Sequence, residues 1–339
     1  MSGRMAREET MTGGLRAASA IIGIAGLFST QAALAEPSES DLAARIELRP
    51  IETLTLTDQQ FLTGDKNGKA VTIAGELRIP RGVSGRMPAV VLLHGSGGAS
   101  GGHELWARHF NEMGVASFLL DSFSARGIVS TSANQALLGR LNMILDAYRS
   151  HEMLAAHPRI DPARIAVMGF SRGGQSALYS SMRRFQEMWS PRAQFALHIP
   201  LYASCSSTFV RDTDVTGPIR QHHGLADDYV TVGPCRPYFE RLRAAGRDAQ
   251  LFEYPDAHHS YDNPLGSKTP TVAKGSQSTR ACTLKEEANG VVVSVSTGQP
   301  FTYKDSCVET DPHVGYNEAA AKATQKAVKE QVRAAFKLE

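Results

Sequence analysis

The distribution of apolar residues along the chain changes character near residue 88. Before it, residues 53–57 and 71–79 alternate apolar with polar or small side chains, the pattern of half-buried edge strands. In the first of these, Leu54 and Leu56 are expected to face the core, and Gly64-Asp65 and Asn67-Gly68 supply hairpin chemistry between the two strands. Beyond it, residues 88–93, 115–120, 165–168, 195–199 and 250–254 form short, nearly continuous apolar runs. Strands buried on both faces of a parallel sheet read this way. Residues 103–113, 133–156, 172–189, 238–245 and 316–336 carry helical spacing. Strand and helix alternate, which predicts an α/β fold: a mostly parallel central sheet with helices on both faces. Residues 263–312 break the pattern, being polar and Gly-rich, with a hairpin expected at 291–295 and 301–303. No repeat or long linker interrupts the rest, so residues 36–339 are expected to be one domain carrying that insertion.

The first 35 residues stand apart. Arg4, Arg7 and Arg16 precede an apolar run at 17–28, and Ala33-Leu34-Ala35 stands before Glu36. This is the layout of a signal peptide cleaved after Ala35, which predicts a periplasmic or secreted protein. The run falls short of the ~20 apolar residues that span a bilayer comfortably, which disfavours the alternative, an uncleaved anchor. Export changes the meaning of Cys205, Cys235, Cys282 and Cys307: an even set in an oxidising compartment reads as disulfides. No C-x-x-C pair is present to suggest a zinc site, and no metal is implied. The expected bridges are Cys205–Cys235, joining loops after neighbouring core strands, and Cys282–Cys307, closing the base of the hairpin in the insertion. Composition adds an exclusion. With a formal charge of +2 over 339 residues and no run of Lys or Arg, the chain has no electrostatic footprint for nucleic acid or an anionic membrane.

The most informative stretch is Ile165-Ala166-Val167-Met168-Gly169-Phe170-Ser171-Arg172-Gly173-Gly174. A buried strand runs into Gly-x-Ser-x-Gly and a helix follows at once. That context lifts the serine hydroxyl above the sheet on a tight turn and points free helix N–H groups at the reacting oxygen. Serine needs a base, and the base an orienting acid, in the order Ser, Asp or Glu, His for such an elbow. Gly224-Leu225-Ala226-Asp227-Asp228 ends a candidate strand with carboxylates, and Tyr254-Pro255-Asp256-Ala257-His258-His259 ends the last strand with histidines. The residues alone leave open which member of each pair serves. Leu92-Leu93-His94-Gly95-Ser96-Gly97-Gly98 ends another strand in a Gly-rich loop. The N–H of Ser96, or alternatively Gly97, is expected to complete an oxyanion hole with that of Arg172. No Gly-Lys-Ser/Thr follows, so the loop is not read as a phosphate cradle. His94 is read as structural.

These pieces, with Asp121-Ser122-Phe123-Ser124-Ala125-Arg126-Gly127 and Ser260-Tyr261, resemble the dienelactone hydrolase group of the α/β-hydrolases over residues ~88–262 and the closing helix. The resemblance implies an α/β-hydrolase fold and a triad of Ser171, Asp227 and His259. It carries the dienelactone substrate poorly: the group's namesake enzymes use a cysteine nucleophile, are cytoplasmic and lack the 263–312 insertion. Arg126 reads as a loop-tying residue in preference to an anchor for an acidic substrate. The expected activity is hydrolysis of a carboxylic ester, lactone or thioester through an acyl-enzyme, on a small-molecule substrate and without a cofactor. The alternatives are a non-catalytic binding protein on the same fold and a hydrolase of peptide bonds.

Overall fold

The computed structural model describes residues 43–338; the expected leader and its cleavage point lie outside them. β1 (Ala43–Thr55) pairs antiparallel with β2 (Lys69–Pro80), Ile51 opposite Ile73 and Glu52 opposite Thr72. Ile51 and Thr53 are the buried positions of β1. Leu54 and Leu56 both pack on the core as expected, Leu54 half-buried at its margin and Leu56, beyond the strand, fully inside. The two strands form the expected hairpin, but its connection also holds a short helix, α1 (Asp58–Thr63), ahead of the Gly64–Gly68 turn. Thr57 and Gln60 form a reciprocal cap: Gln60 N–H donates to Thr57 Oγ1 at 3.1 Å, and Thr57 N–H to Gln60 Oε1 at 3.0 Å.

The chain then alternates as anticipated. It runs β3 (Met87–Leu93), α2 (Gly101–Glu112), β4 (Ala116–Asp121), α3 (Asn142–Ala155), β5 (Ile160–Phe170), α4 (Arg172–Tyr179), α5 (Arg183–Trp189) and β6 (Leu197–Leu201). After a two-residue strand β7 (Ser207–Thr208) come β8 (Ile219–Gly224), α6 (Cys235–Ala244) and β9 (Ala249–Tyr254). The main sheet has eight strands in the order β1-β2-β4-β3-β5-β6-β8-β9, parallel from β4 to β9. Neighbouring side chains on its central strands go to opposite layers. Ala89, Val91, Leu93, Ile165 and Val167 pack with α3, α4, α5 and α6, whereas Val90, Leu92, Ala166 and Met168 pack with α2 and the closing helix α7 (Glu318–Phe336). This two-sided burial is why the strand sequences show no alternation.

Two helices differ from expectation. The segment 133–156 is helical only from Asn142, after a single 3-10 turn at Gln135–Leu137. The segment 172–189 is two helices, because Ser180 Oγ and Ser181 Oγ bond back to the carbonyls of Ala177 and Leu178, and Met182 then takes an extended conformation. β6 also lies two residues later than its apolar run.

The insertion holds three short strands, β10 (Thr271–Val272), β11 (Leu284–Glu286) and β12 (Val292–Ser294), and β13 (His313–Val314) follows it directly. β12 pairs with β11 on one side and, on the other, with residues 299–301: Phe301 N–H donates to the Val292 carbonyl and Ser294 N–H to that of Gln299, both at 2.9 Å, so the expected hairpin forms with its second arm starting about two residues early. Strand β11 joins β7, and β10 joins β13. Disulfides link Cys205 to Cys235 and Cys282 to Cys307. Among the described residues no helix is long and apolar enough to cross a membrane.

Candidate active site

Parallel strands β3, β5, β8 and β9 all end at one edge of the sheet, the crevice where open α/β sheets present their ligands. Each contributes one loop. β5 delivers Ser171 with φ 54° and ψ −112°, a backbone conformation that costs a non-glycine residue roughly 1–3 kcal/mol. The turn is possible because its neighbours lack side chains: a Cβ on Gly169 would lie 2.1 Å from the Gly173 carbonyl oxygen, and one on Gly173 would lie 2.2 Å from that of Leu93. Ser171 N–H is held by the Leu201 carbonyl at the end of β6, 3.0 Å away.

Three residues beyond β8, Asp227 is 4% exposed. Its Oδ1 accepts the backbone N–H groups of Tyr229 (2.9 Å) and Val230 (2.8 Å), and its Oδ2 lies 2.8 Å from His259 Nδ1. That arrangement leaves His259 Nε2 for the cavity. The imidazole is bracketed by two tyrosine rings, Tyr202 edge-on and Tyr229 tilted, each 4.6 Å away between centroids. Ser171 and His259 line the same cavity of about 250 Å³, together with the Gly95–Gly98 turn.

The neighbours in sequence behave differently. Asp228 turns away to bind β13, just past the insertion, accepting His313 N–H and facing His313 Nδ1, both at 2.8 Å. Burial opposes its ionisation, but the bonds from His313 outweigh that and lower its pKa. His258 faces the His313 ring and does not line the cavity.

At the end of β3, no described residue accepts the backbone N–H of Ser96, and none accepts that of Arg172. His94 is buried and bridges loops: Ser122 N–H donates to its Nε2 at 3.2 Å, so Nδ1 carries the proton and donates to the Gly95 carbonyl at 2.8 Å. Burial holds its pKa below the ordinary histidine value. The Arg172 side chain turns from the cavity's centre, and Nη1 donates to Gln135 Oε1 at 2.8 Å. Arg126 lines neither lobe of the site and is buried against Asp146.

Several contributors carry no sequence signal. Gln135 pins the β3 loop through Ser96 Oγ (3.0 Å), and the insertion in turn pins Gln135, whose N–H donates to Gln277 Oε1 at 2.9 Å. Asp262, 4% exposed in the cavity wall, accepts Trp106 Nε1–H at 2.7 Å and Tyr202 O–H at 2.9 Å. Burial raises its pKa. Beside Ser171 the cavity continues into a smaller lobe of about 50 Å³. Ser96, Ser171 and Tyr229 border both lobes. Among the described residues no group of His, Cys, Asp and Glu is arranged to hold a metal ion.

The sequence profile of the dienelactone hydrolase family matches residues 73–336. The chain belongs to that family. Solved structures agree on the fold at low identity. One is a dienelactone hydrolase-like promiscuous phosphotriesterase, P91, from metagenomic libraries. It is 18% identical with a TM-score of 0.58, covering 86% of this chain and 99% of its own. A structure described as m3DLH is 17% identical with a TM-score of 0.57, over 86% and 99%. A putative dienelactone hydrolase from Klebsiella pneumoniae is 14% identical with a TM-score of 0.53, over 84% and 98%. No curated protein matches the sequence. As a dienelactone hydrolase family member on an α/β-hydrolase fold, the protein is a carboxylic ester hydrolase.

Proposed function

We propose that the protein is an exported serine hydrolase that cleaves carboxylic esters through an acyl-enzyme. The observation carrying this reading is the 2.8 Å bond between Asp227 and His259 in a cavity that also holds Ser171 on its strained turn. Ser171 Oγ attacks the ester carbonyl while His259 Nε2 takes its proton, and Asp227 holds the ring and stabilises the imidazolium. The N–H groups of Ser96 and Arg172 receive the developing oxyanion, each worth about 3 kcal/mol by comparison with measured oxyanion donors. His259 then returns the proton to the departing alcohol. Water activated by the same histidine releases the acid. Export is supported by the two disulfides, which persist in oxidising compartments.

The test is labelling of the purified protein with a fluorophosphonate, followed by peptide mapping. A stoichiometric adduct on Ser171 is expected. No adduct overturns the reading in favour of a binding protein that has kept the fold, and an adduct on another residue overturns Ser171 as the nucleophile.

A further inference from the structure

On the reading above, the two lobes beside Ser171 differ in role. The leaving oxygen is protonated by His259, so the alcohol must lie on the histidine's side. His259 lines the larger lobe and is absent from the lining of the smaller one. Since both lobes share Ser171 and Ser96, the acyl group falls into the smaller. We propose that this lobe is an acyl subsite for short, hydroxylated acyl groups such as 2-hydroxyacyl esters.

Size sets the first limit. A water needs roughly 10–15 Å³ of such space, so a lobe of about 50 Å³ takes an acyl substituent of about three or four non-hydrogen atoms. Chemistry sets the second. Val230 is the single aliphatic side chain among its described lining residues; around it stand Gln175, Gln277, Ser204, Thr279 and Arg140. The side chains of Gln175 and Thr279 make no hydrogen bond to another described residue, and Gln175 sits one helical turn past Ser171, its N–H on the Ser171 carbonyl at 2.8 Å. Val230, Tyr229 and Tyr303 receive the acyl carbons, but an alkyl group also strips water from these donors and acceptors, whereas a hydroxyl replaces the lost bonds. Charge sets the third. Arg140 Nε is paired with Asp58 at 2.9 Å, and Arg172 Nη1 and Nη2 donate to oxygens of residues 131–139. Among the described residues Arg172 has no carboxylate partner, so the lobe carries net positive charge and favours an oxygen-bearing acyl group over an alkyl one. Gln277 and Thr279 belong to the insertion, so this selectivity is a property the 263–312 segment adds to the fold.

The experiment compares phenyl glycolate with its isostere phenyl propionate, and phenyl lactate with phenyl isobutyrate, each kcat/KM divided by the ester's hydroxide-catalysed rate. The phenyl half-ester of malonic acid supplies a charged arm. We expect at least a tenfold preference for the hydroxyl in both pairs, and a collapse of that ratio towards one in Gln175→Leu and Thr279→Val. Equal or better turnover of the alkyl esters overturns the subsite, as does a half-ester slower than phenyl propionate. Hydrolysis of none of the five overturns the acyl-enzyme reading itself, so the two failures are distinguishable. The wild-type ratios decide the matter even where a variant does not fold.

Discussion

Replacing Arg126 separates a loop-tying arginine from a substrate anchor. Its guanidinium donates to Asp146 Oδ2 (2.8 Å) and Oδ1 (2.9 Å), to the carbonyls of Ser122 (2.6 Å) and Leu54 (3.0 Å), and from Nε to Thr55 Oγ1 (2.9 Å). The two side chains are 3% and 0% exposed. Arg126→Met leaves the Asp146 carboxylate inside the protein with a single remaining side-chain donor, Thr53 Oγ1 at 2.9 Å. Breaking a buried pair from one side typically costs about 3–5 kcal/mol, most of it the stranded charge. Removing that charge as well, in Arg126→Met/Asp146→Leu, should recover about 1–3 kcal/mol, leaving the loss of the Ser122, Leu54 and Thr55 contacts. Urea unfolding of the wild type, both single variants and the double variant gives the coupling energy directly. Where the variants remain folded, kcat/KM for a neutral ester and a carboxylate-bearing ester should fall by the same small factor. A loss under ~1 kcal/mol in Arg126→Met, well short of the buried-pair cost, refutes this reasoning, as does a selective loss on the charged ester.

Three further outcomes follow from the same geometry. His259→Ala and Asp227→Asn should each lower kcat by at least about a hundredfold, while His258→Ala and Asp228→Asn stay within about tenfold because their side chains face His313, outside the cavity; steady-state kinetics showing the reverse order refutes the assignment. Asp262→Leu removes the acceptor for both Trp106 and Tyr202, so kcat should drop with KM little changed and the acid limb of the pH–kcat/KM profile should move; an unmoved limb with unchanged kcat contradicts a role beside His259. Burial holds His198 and His222 down from 6.5 to about 4, so the unfolded chain binds the extra protons between those values. Stability from their neutral rings is then complete above pH ~6.5 and lost as pH falls towards 4. The urea midpoint should decline across that window and decline less in His198→Gln, whereas a midpoint flat from pH 7 to 4.5 contradicts it.

The elbow was legible because its chemistry and its backbone requirement coincide in one stretch: only glycine fits at 169 and 173, and both flank Ser171. The order of strand ends was legible for the same local reason. Choosing Asp227 over Asp228 and His259 over His258 took the family's register, since adjacent loop residues carry no periodicity that says which one turns inward. The cavity walls were not legible. Tyr202, Gln135, Asp262 and Tyr229 sit in loops and meet only through folding, so nothing in their spacing marks them. Hydropathy also fails where polarity is satisfied internally. In β8 His222 is fully buried because Nδ1 meets Tyr254 Oη at 2.7 Å and Nε2 meets Gln331 Oε1 at 3.1 Å. The helix α1 was hidden behind the turn residues that follow it, although Thr57-x-x-Gln60 is a capping signature once seen.

Acyl transfer here requires Ser171 as the attacking group, and kinetics of Ser171→Ala test that most directly. An elbow serine contributes to chemistry more than to packing, so the variant should unfold in urea close to wild type while kcat for phenyl acetate falls by about three orders of magnitude or more. A folded Ser171→Ala protein that retains even about a tenth of wild-type kcat contradicts the account.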